Sequence, residues 1–206
     1  MPAPERSKHR LAGGVAGLMC AVAIAACSTA TVDPAARPGG LPTQAQALGP
    51  VTKHQGCRVH DGLPDAACTP GAVFTDVSSA VLCRRGYTER VRDVPSELKQ
   101  AIYRAYGIRH HYPGEFEVDH LAPLEAEGAN TDGTGYPPTA DPTANLWPEP
   151  THGAWSSHLK DEVENWARAQ VCREGADALV IDRQIARDWI ALYRQIGAHT
   201  LAHYRY

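Results

Sequence analysis

Four cysteines in the body of the chain limit the folds that it can adopt. They are Cys57, Cys68, Cys83 and Cys172, and four cysteines allow three different pairings. Cys57 and Cys68 bracket a turn-rich segment, so a bond between them closes a short loop at little entropic cost. A Cys83–Cys172 bond would then join two distant parts of one domain and stabilise it by about 4 kcal/mol. A structural zinc site is the rival explanation, but the chain contains no C-x-x-C pair that would favour it.

The N-terminus predicts export, which is the condition under which disulfides persist. Arg6, Lys8 and Arg10 precede an uncharged run, residues 11–26, that is short and interrupted by glycines. Such a run makes a poor membrane-spanning helix and is typical of a signal peptide. The run ends in the letters IAA before Cys27, and this ending resembles the lipobox of bacterial lipoproteins.

In lipoproteins the lipobox cysteine becomes the acylated first residue of the mature chain. The resemblance therefore implies that residues 1–26 are removed and that Cys27 carries the lipid. Several acyl chains on one residue anchor a protein stably, whereas a single chain does not. The alternatives are ordinary secretion with cleavage near Ala26, and a tilted membrane anchor.

The rest of the chain divides by composition into a tether and one domain. Residues 27–50 are rich in Ala, Pro, Gly, Thr and Gln and poor in large apolar side chains. A segment of this kind cannot bury enough surface to offset its ordering entropy, so we expect a flexible tether. Residues 51–206 have the length of a single domain.

Charge allows a polyanionic partner without requiring one. Without residues 1–26 the chain has 17 Lys and Arg against 22 Asp and Glu, a net charge of −5 that is unlike a strong nucleic-acid binder. The stretch 84–111 is different, because it holds seven bases and only three acids. This stretch, which we call the basic segment, is either a phosphate-binding face or an ordinary solvated surface. Its bases are Arg84, Arg85, Arg90, Arg92, Lys99, Arg104 and Arg109, and His110 and His111 follow them.

Hydrophobic periodicity predicts three helices and a strand. Apolar residues recur at helical spacing over 96–106, 155–172 and 177–196. Gly107 is a stop signal for the first of these helices. Residues 115–121 alternate polar and apolar side chains, which predicts a strand. The region 51–82 lacks periodicity and is expected to be irregular.

The segment after this strand carries the motifs with chemical meaning. The letters DHLAPLE begin at Asp119, ANLWPEP follows a long polar loop, and KDEVEN lies on the helix predicted over 155–172. Together they resemble the HNH-like nuclease families, whose motif opens with Asp-His, continues with Asn and closes with a ligand on a helix. The letters CTPGAV, LCRRGYTERVR and YGI also resemble exported bacterial members. The resemblance covers residues 68–193 and implies an α+β fold, with a ββα-metal core, additional helices and disulfides.

The resemblance assigns a role to each matching residue. His120 would be the general base that takes a proton from the attacking water. Asp119 would bind a divalent metal ion, Mg²⁺ or Mn²⁺, that neutralises charge on the phosphate. Asn145 would orient His120 or hold the loop closed.

The second metal ligand is expected on the helix, where the sequence departs from the usual His or Asn. Asp161 is the preferred candidate, because it lies opposite the apolar stripe and a carboxylate suits Mg²⁺. His158 and Asn165 share its side of the helix and are alternatives. Lys160 and Glu164 are expected to pair on the helix surface.

One geometric condition follows from Asp119 and His120 being adjacent. Neighbouring side chains of a regular strand point to opposite faces. The two residues can share a site only if the strand ends or bends there, and Pro123 makes such an end plausible.

Two functions are consistent with these residues. The first is a surface-anchored, metal-dependent endonuclease that hydrolyses phosphodiester bonds of DNA or RNA outside the cytoplasm. The second is an inactive lipoprotein binding module on the same fold, which the net acidic charge favours. The expected partners are a nucleic acid and, through the lipid, a membrane; the sequence implies no protein partner.

Overall fold

The structure is a computed structural model that describes residues 40–129 and 142–204 as a mixed α+β fold with two disulfides. The expected signal peptide, Cys27 and most of the expected tether lie outside the described residues. The strands are β1 (Ala45–Ala47), β2 (Ala72–Phe74), β3 (Phe116–His120) and β4 (Leu146–Pro150). The helices are α1 (Ser79–Leu82), α2 (Tyr87–Val91), α3 (Ser96–Ala105), α4 (Ser157–Arg173), α5 (Ala178–Ile196) and α6 (Ala198–Leu201).

The strands form two antiparallel pairs. β1 pairs with β2, and an isolated bridge joins Val73 of β2 to Gly128. β3 pairs with β4 in a register that places Asp119 opposite Trp147 and His120 opposite Leu146. Trp147 and Leu146 are fully buried, so the β3–β4 pair is fixed against the core.

The three long helices confirm the periodicity. α3 is followed by Gly107, which adopts φ 72° and ends the helix as expected. In α5 the side chain of the preceding Asp177 accepts a hydrogen bond from the backbone N–H of Val180. α5 is kinked at Asp188, whose side chain accepts from the backbone N–H of Ala191 and so begins the second half of the helix.

The packing of α5 explains one glycine in the irregular region. The indole of Trp189 donates a hydrogen bond of 3.0 Å to the carbonyl of Gly62. Gly62 has φ 83°, and a Cβ at this position would lie 2.4 Å from the Cβ of Trp155. Only glycine therefore allows the chain to pass this close to Trp155 while its carbonyl reaches Trp189 of α5.

Both predicted disulfides are confirmed. Cys57 is bonded to Cys68, and Cys83 is bonded to Cys172. The second bond ties the residue after α1 to the C-terminal turn of α4. Two disulfides agree with an oxidising, extracytoplasmic environment. Within the part of the chain that the structure describes, no helix is long and apolar enough to cross a membrane.

The expected tether boundary at residue 50 is wrong in its last residues. Ala45–Ala47 forms β1, and the backbone N–H of Thr43 donates to the carboxylate of Asp76 at 2.8 Å. Strand pairing uses backbone groups, so small alanines join a sheet without the large apolar side chains on which the prediction relied. The ordered part therefore begins before Val51.

Candidate functional site

Asp119 and His120 lie together at the end of β3. The strand ends at His120, and Asp119 and His120 are 8% and 1% exposed. The Nδ1 atom of His120 lies 3.8 Å from Oδ1 of Asp119. The geometric condition is met, because the chain leaves the strand immediately after these two residues.

Both residues line a cavity of about 320 Å³. Its walls come from α2, β3, the loop that follows β3, and α4. Among the described residues, the lining is strongly acidic and includes one arginine. The lining residues are Thr88, Glu89, Arg92, Glu117, Asp119, His120, Leu124, Glu125, Asp161 and Glu164.

The carboxylate of Asp119 is held by a different cation on each oxygen. The guanidinium of Arg92 donates to Oδ1 at 2.9 Å, and the ammonium of Lys160 donates to Oδ2 at 2.8 Å. Burial alone would raise the pKa of Asp119, but Lys160 and the neighbouring His120 hold it well below the usual range. Asp119 is therefore a fixed, ionised carboxylate.

Lys160 is buried, so the prediction of a surface pair with Glu164 is wrong. Its side chain is 0% exposed, and its ammonium donates to Oε1 of Glu164 and lies 3.5 Å from Oε2 of Glu149. Burial lowers the pKa of Lys160, but Asp119 and Glu149 more than offset this and raise it well above the usual value. Lys160 and Glu164 contact each other at i, i+4 spacing as expected. The contact lies inside the protein, because this face of α4 packs against β3 and β4.

Glu149 on β4 is a further carboxylate of this cluster. It is 1% exposed, and burial raises its pKa to about 8 even though the charge of Lys160 opposes the shift. Glu149 is therefore largely protonated at neutral pH. Burial likewise raises the pKa of Glu164 well above its usual value.

Among the expected helix ligands, Asp161 reaches the cavity wall. Desolvation and the charge of Asp119 raise the pKa of Asp161, although Lys160 opposes the shift. Glu125, on the loop after β3, lines the same cavity, and its pKa is raised by burial and by Asp119. His158 is exposed at the start of α4, and Asn165 is half-buried further along it.

Asn145 ties the loop after β3 to the start of β4. Its side-chain oxygen accepts from the backbone N–H of Ala122 at 2.8 Å. Its amide donates to the carbonyl of Ala122 at 3.0 Å and to that of Ala129 at 2.9 Å. These bonds engage both amide hydrogens, and they hold the wall that contains Leu124 and Glu125.

The residues of the cavity wall that could contribute ligands to a metal ion are mainly carboxylates. Among residues 40–129 and 142–204, no three His, Cys, Asp or Glu side chains are arranged to hold a metal ion. Mg²⁺ commonly takes only one or two protein carboxylates, with water and phosphate oxygens completing its coordination. Asp119 and Asp161 face one cavity and offer this type of ligand. Zinc usually needs three or four protein ligands, and the described residues do not supply them in one place.

The basic segment contributes to the site through its first part. Arg92 binds Asp119, and Thr88 and Glu89 of α2 belong to the cavity wall. Arg84, Arg85 and the other lysine and arginine residues of the segment are exposed. In sequence, the residues that α2 contributes to the acidic cavity are therefore flanked by exposed basic residues.

Lys160 and Glu149 are the site residues that sequence reasoning missed. Lys160 and Glu164 continue, at helical spacing, the buried stripe that Ala167 and Val171 form further along α4. A charged pair on the line of an apolar stripe is the signal that could have revealed the buried cluster. No local pattern marks Glu149, because its burial depends on the pairing of β4 with β3.

Comparisons with protein-family models, curated proteins and solved structures give no match for this chain.

Proposed function

We propose that this protein is an extracytoplasmic, metal-dependent phosphodiester hydrolase of the HNH-like type that acts on DNA or RNA. The observation that carries the proposal is the placement of Asp119 and His120 together on the wall of one acidic cavity. The order β3, β4, α4 is that of the ββα core which the family resemblance implies.

His120 is proposed as the general base. Imidazole is the side chain best suited to take and return a proton near neutral pH. Its neighbour Asp119 is ionised and fixed, and it can stabilise the imidazolium that forms when His120 accepts a proton from water. Burial of His120 keeps its ring in one orientation, since a side chain that is 1% exposed has little freedom to rotate.

The acidic lining supports a requirement for a divalent cation. A phosphodiester is an anion, and the carboxylates of the cavity would repel it. Asp119 and Asp161 would hold the ion, with Glu125 close to them in the lining. A bound Mg²⁺ or Mn²⁺ would neutralise charge on the phosphate and on the leaving oxygen.

A binding module without activity is the second candidate. It is favoured by the state of Asp119, whose two oxygens already accept from Arg92 and Lys160. A carboxylate has about four lone-pair sites, so each oxygen can still accept one further ligand. The hydrolase needs these remaining sites of Asp119 for a metal ion, whereas the binding module does not.

Plasmid nicking with a matched histidine control tests the hydrolase proposal. Purified protein with both disulfides formed is incubated with supercoiled DNA, and separately with RNA, in Mg²⁺, in Mn²⁺ and in EDTA. We expect cleavage that requires the metal ion and that falls at least about 100-fold in His120→Gln, the lower end of a general base's contribution. His152→Gln, a change of the same residue type at an exposed position, should retain full activity.

Metal binding is measured independently of cleavage. Isothermal titration calorimetry with Mn²⁺ is expected to show one ion bound per chain. Binding should be weaker in Asp119→Asn and in Asp161→Asn. His158→Ala and Asn165→Ala test the alternative helix ligands. If the wild type binds Mn²⁺ but cuts no faster than His120→Gln with either metal, the protein is a binding module. If Asp161→Asn binds as well as the wild type, Asp161 is not a ligand.

Lipid attachment at Cys27 is part of the same proposal and has its own test. We propose that the protein is held on the outer side of a membrane by acyl chains on Cys27. Mass spectrometry of the N-terminal peptide should then find an acylated Cys27, and Cys27→Ser should move the protein from the membrane fraction to the soluble fraction. An unmodified N-terminus near residue 27 in a soluble protein would indicate ordinary secretion instead.

A further inference from the structure

The ammonium of Lys160 joins carboxylates from three elements. It donates to Asp119 of β3 at 2.8 Å and to Glu164 of α4, and it lies 3.5 Å from Glu149 of β4. The lysine side chain is 0% exposed, and Glu149 is 1% exposed. A long, flexible side chain is thus fixed at one point between the strand pair and the helix.

This contact determines how the Asp119 carboxylate is turned. Lys160 holds Oδ2, so Oδ1 is the oxygen that faces both Arg92 and the Nδ1 atom of His120. Rotation of the carboxylate would break the contact with Lys160. The side chain of Arg92 is 44% exposed and is therefore the weaker constraint, because an exposed pair is screened by water.

The orientation of Asp119 bears on the proton of the imidazole. Oδ1 lies 3.8 Å from Nδ1 of His120, which is too long for a direct hydrogen bond but close enough for a strong electrostatic effect. A negative oxygen beside Nδ1 favours the tautomer with the proton on that nitrogen. The opposite nitrogen, Nε2, is then left with the lone pair that a general base needs.

We propose that Lys160 is the positioning residue of the Asp119–His120 pair, fixing the carboxylate so that His120 keeps its proton on Nδ1. The role of this tautomer in catalysis rests on the proposed hydrolase function. The tautomer itself is a property of the metal-free protein and does not rest on it. Lys160 touches neither water nor phosphate in this role and acts only through Asp119.

Lys160→Met tests the proposal, since methionine is a neutral chain of similar length. It leaves the buried Glu164 without its cation, which will destabilise the fold. The double variant Lys160→Met/Glu164→Gln removes that uncompensated charge, and Glu164→Gln alone is its control. Urea unfolding selects the variants that are folded under the assay conditions.

The direct readout is ¹⁵N NMR of the His120 ring in metal-free protein. We expect the wild type to show the Nδ1–H tautomer, and both Lys160 variants to show a large share of the Nε2–H form. We also expect kcat on plasmid to fall about 10- to 100-fold with KM unchanged, the range for loss of a residue that orients a functional group through a hydrogen bond. If Lys160 had a merely structural role, the folded double variant would be as active as Glu164→Gln alone.

The outcomes separate this inference from the proposed function. If folded Lys160→Met/Glu164→Gln keeps the wild-type tautomer, or if the wild type itself carries the proton on Nε2, Lys160 does not position the pair. If the tautomer changes as expected but the wild type cuts no nucleic acid, the positioning role stands and the hydrolase proposal fails. If cleavage depends on His120 while the tautomer and kcat do not respond to Lys160, only the present inference is overturned.

Discussion

Of the two disulfides, Cys83–Cys172 is expected to contribute more to the free energy of unfolding. It spans 89 residues of sequence, whereas Cys57–Cys68 spans 11. In the chain-entropy model the gain grows with the logarithm of loop length, which gives about 4.6 kcal/mol for the long loop and about 2.8 kcal/mol for the short one. Replacing Cys83 and Cys172 by serine should therefore lower the free energy of unfolding by about 4.6 kcal/mol. Both cysteines are only half-buried, so loss of packing adds little.

Urea unfolding with and without dithiothreitol separates the stabilisation due to loop closure from that due to side-chain packing. In oxidising buffer the double serine variant should be less stable than the wild type by the full amount. In reductant the wild type loses the same bond, and the difference between the two proteins should shrink toward zero. A loss below about 2 kcal/mol in oxidising buffer would contradict the loop-length argument. A loss that persists unchanged in reductant would attribute the effect to side-chain packing instead.

The same bond should also protect the cavity from opening. Cys83 directly precedes the segment that supplies Thr88, Glu89 and Arg92, and Cys172 lies in α4, which supplies Asp161. Hydrogen exchange over residues 84–92 is therefore expected to accelerate in the double serine variant. Unchanged exchange there would mean that the cavity wall is held by other contacts.

Three further predictions concern single residues near the site. Burial raises the pKa of Glu149 to about 8 from an ordinary value of 4.5. Between these two values the folded protein keeps a proton that the unfolded chain loses. The free energy of unfolding should therefore fall as the pH rises from about 4.5 to about 8. Glu149→Gln should flatten that fall when unfolding is measured at pH 5 and pH 8, and an unchanged slope would refute the assignment. A Cβ on Gly128 would lie 2.0 Å from the carbonyl oxygen of Ala122, so Gly128→Ala should lower the free energy of unfolding by about 3 kcal/mol or more. Gly175→Ala is the control, because a Cβ on Gly175 would have no atom within 4 Å and should cost only the roughly 1–2 kcal/mol of a left-handed backbone. Equal losses in the two variants would show that the clash at Gly128 is relieved. Asn145→Ala leaves three backbone groups of the loop without their partners. The free energy of unfolding, measured by thermal unfolding, should fall by about 3 kcal/mol. A loss below about 1 kcal/mol would mean that water replaces the lost hydrogen bonds.

The helices were the most predictable part of the fold. The apolar stripes of α3 and α5 face the core, as their periodicity indicates, and the stop at Gly107 and the cap at Asp177 follow from local rules. β1 was not predictable, because its sequence Ala-Gln-Ala carries little hydrophobic signal and is ordered by pairing with β2. The disulfide pairing could be inferred because the shorter loop closes at the lower entropic cost.

The site was predictable in its sequence motif but not in its charge network. The order of the motifs DHLAPLE, ANLWPEP and KDEVEN singles out Asp119 and His120, and the structure places both on the wall of one cavity with Asp161. Lysine is almost never fully buried unless it is paired, so the sequence alone does not indicate that Lys160 is buried. Its partner Glu149 lies 11 positions earlier, in β4, so their contact arises only when the helix packs on the strands.

Residues 121–129, which follow β3, form one wall of the cavity and are fixed by hydrogen bonds within the protein. Within it the backbone N–H groups of Ala126 and Gly128 both donate to the carbonyl of Pro123. Asn145 closes its base, and Glu125 on this wall faces the cavity. On this wall a ligand therefore meets a preorganised surface, and its binding does not entail the entropy loss of ordering residues 121–129. Selectivity on this side of the cavity then follows from shape and charge that are set during folding rather than during binding.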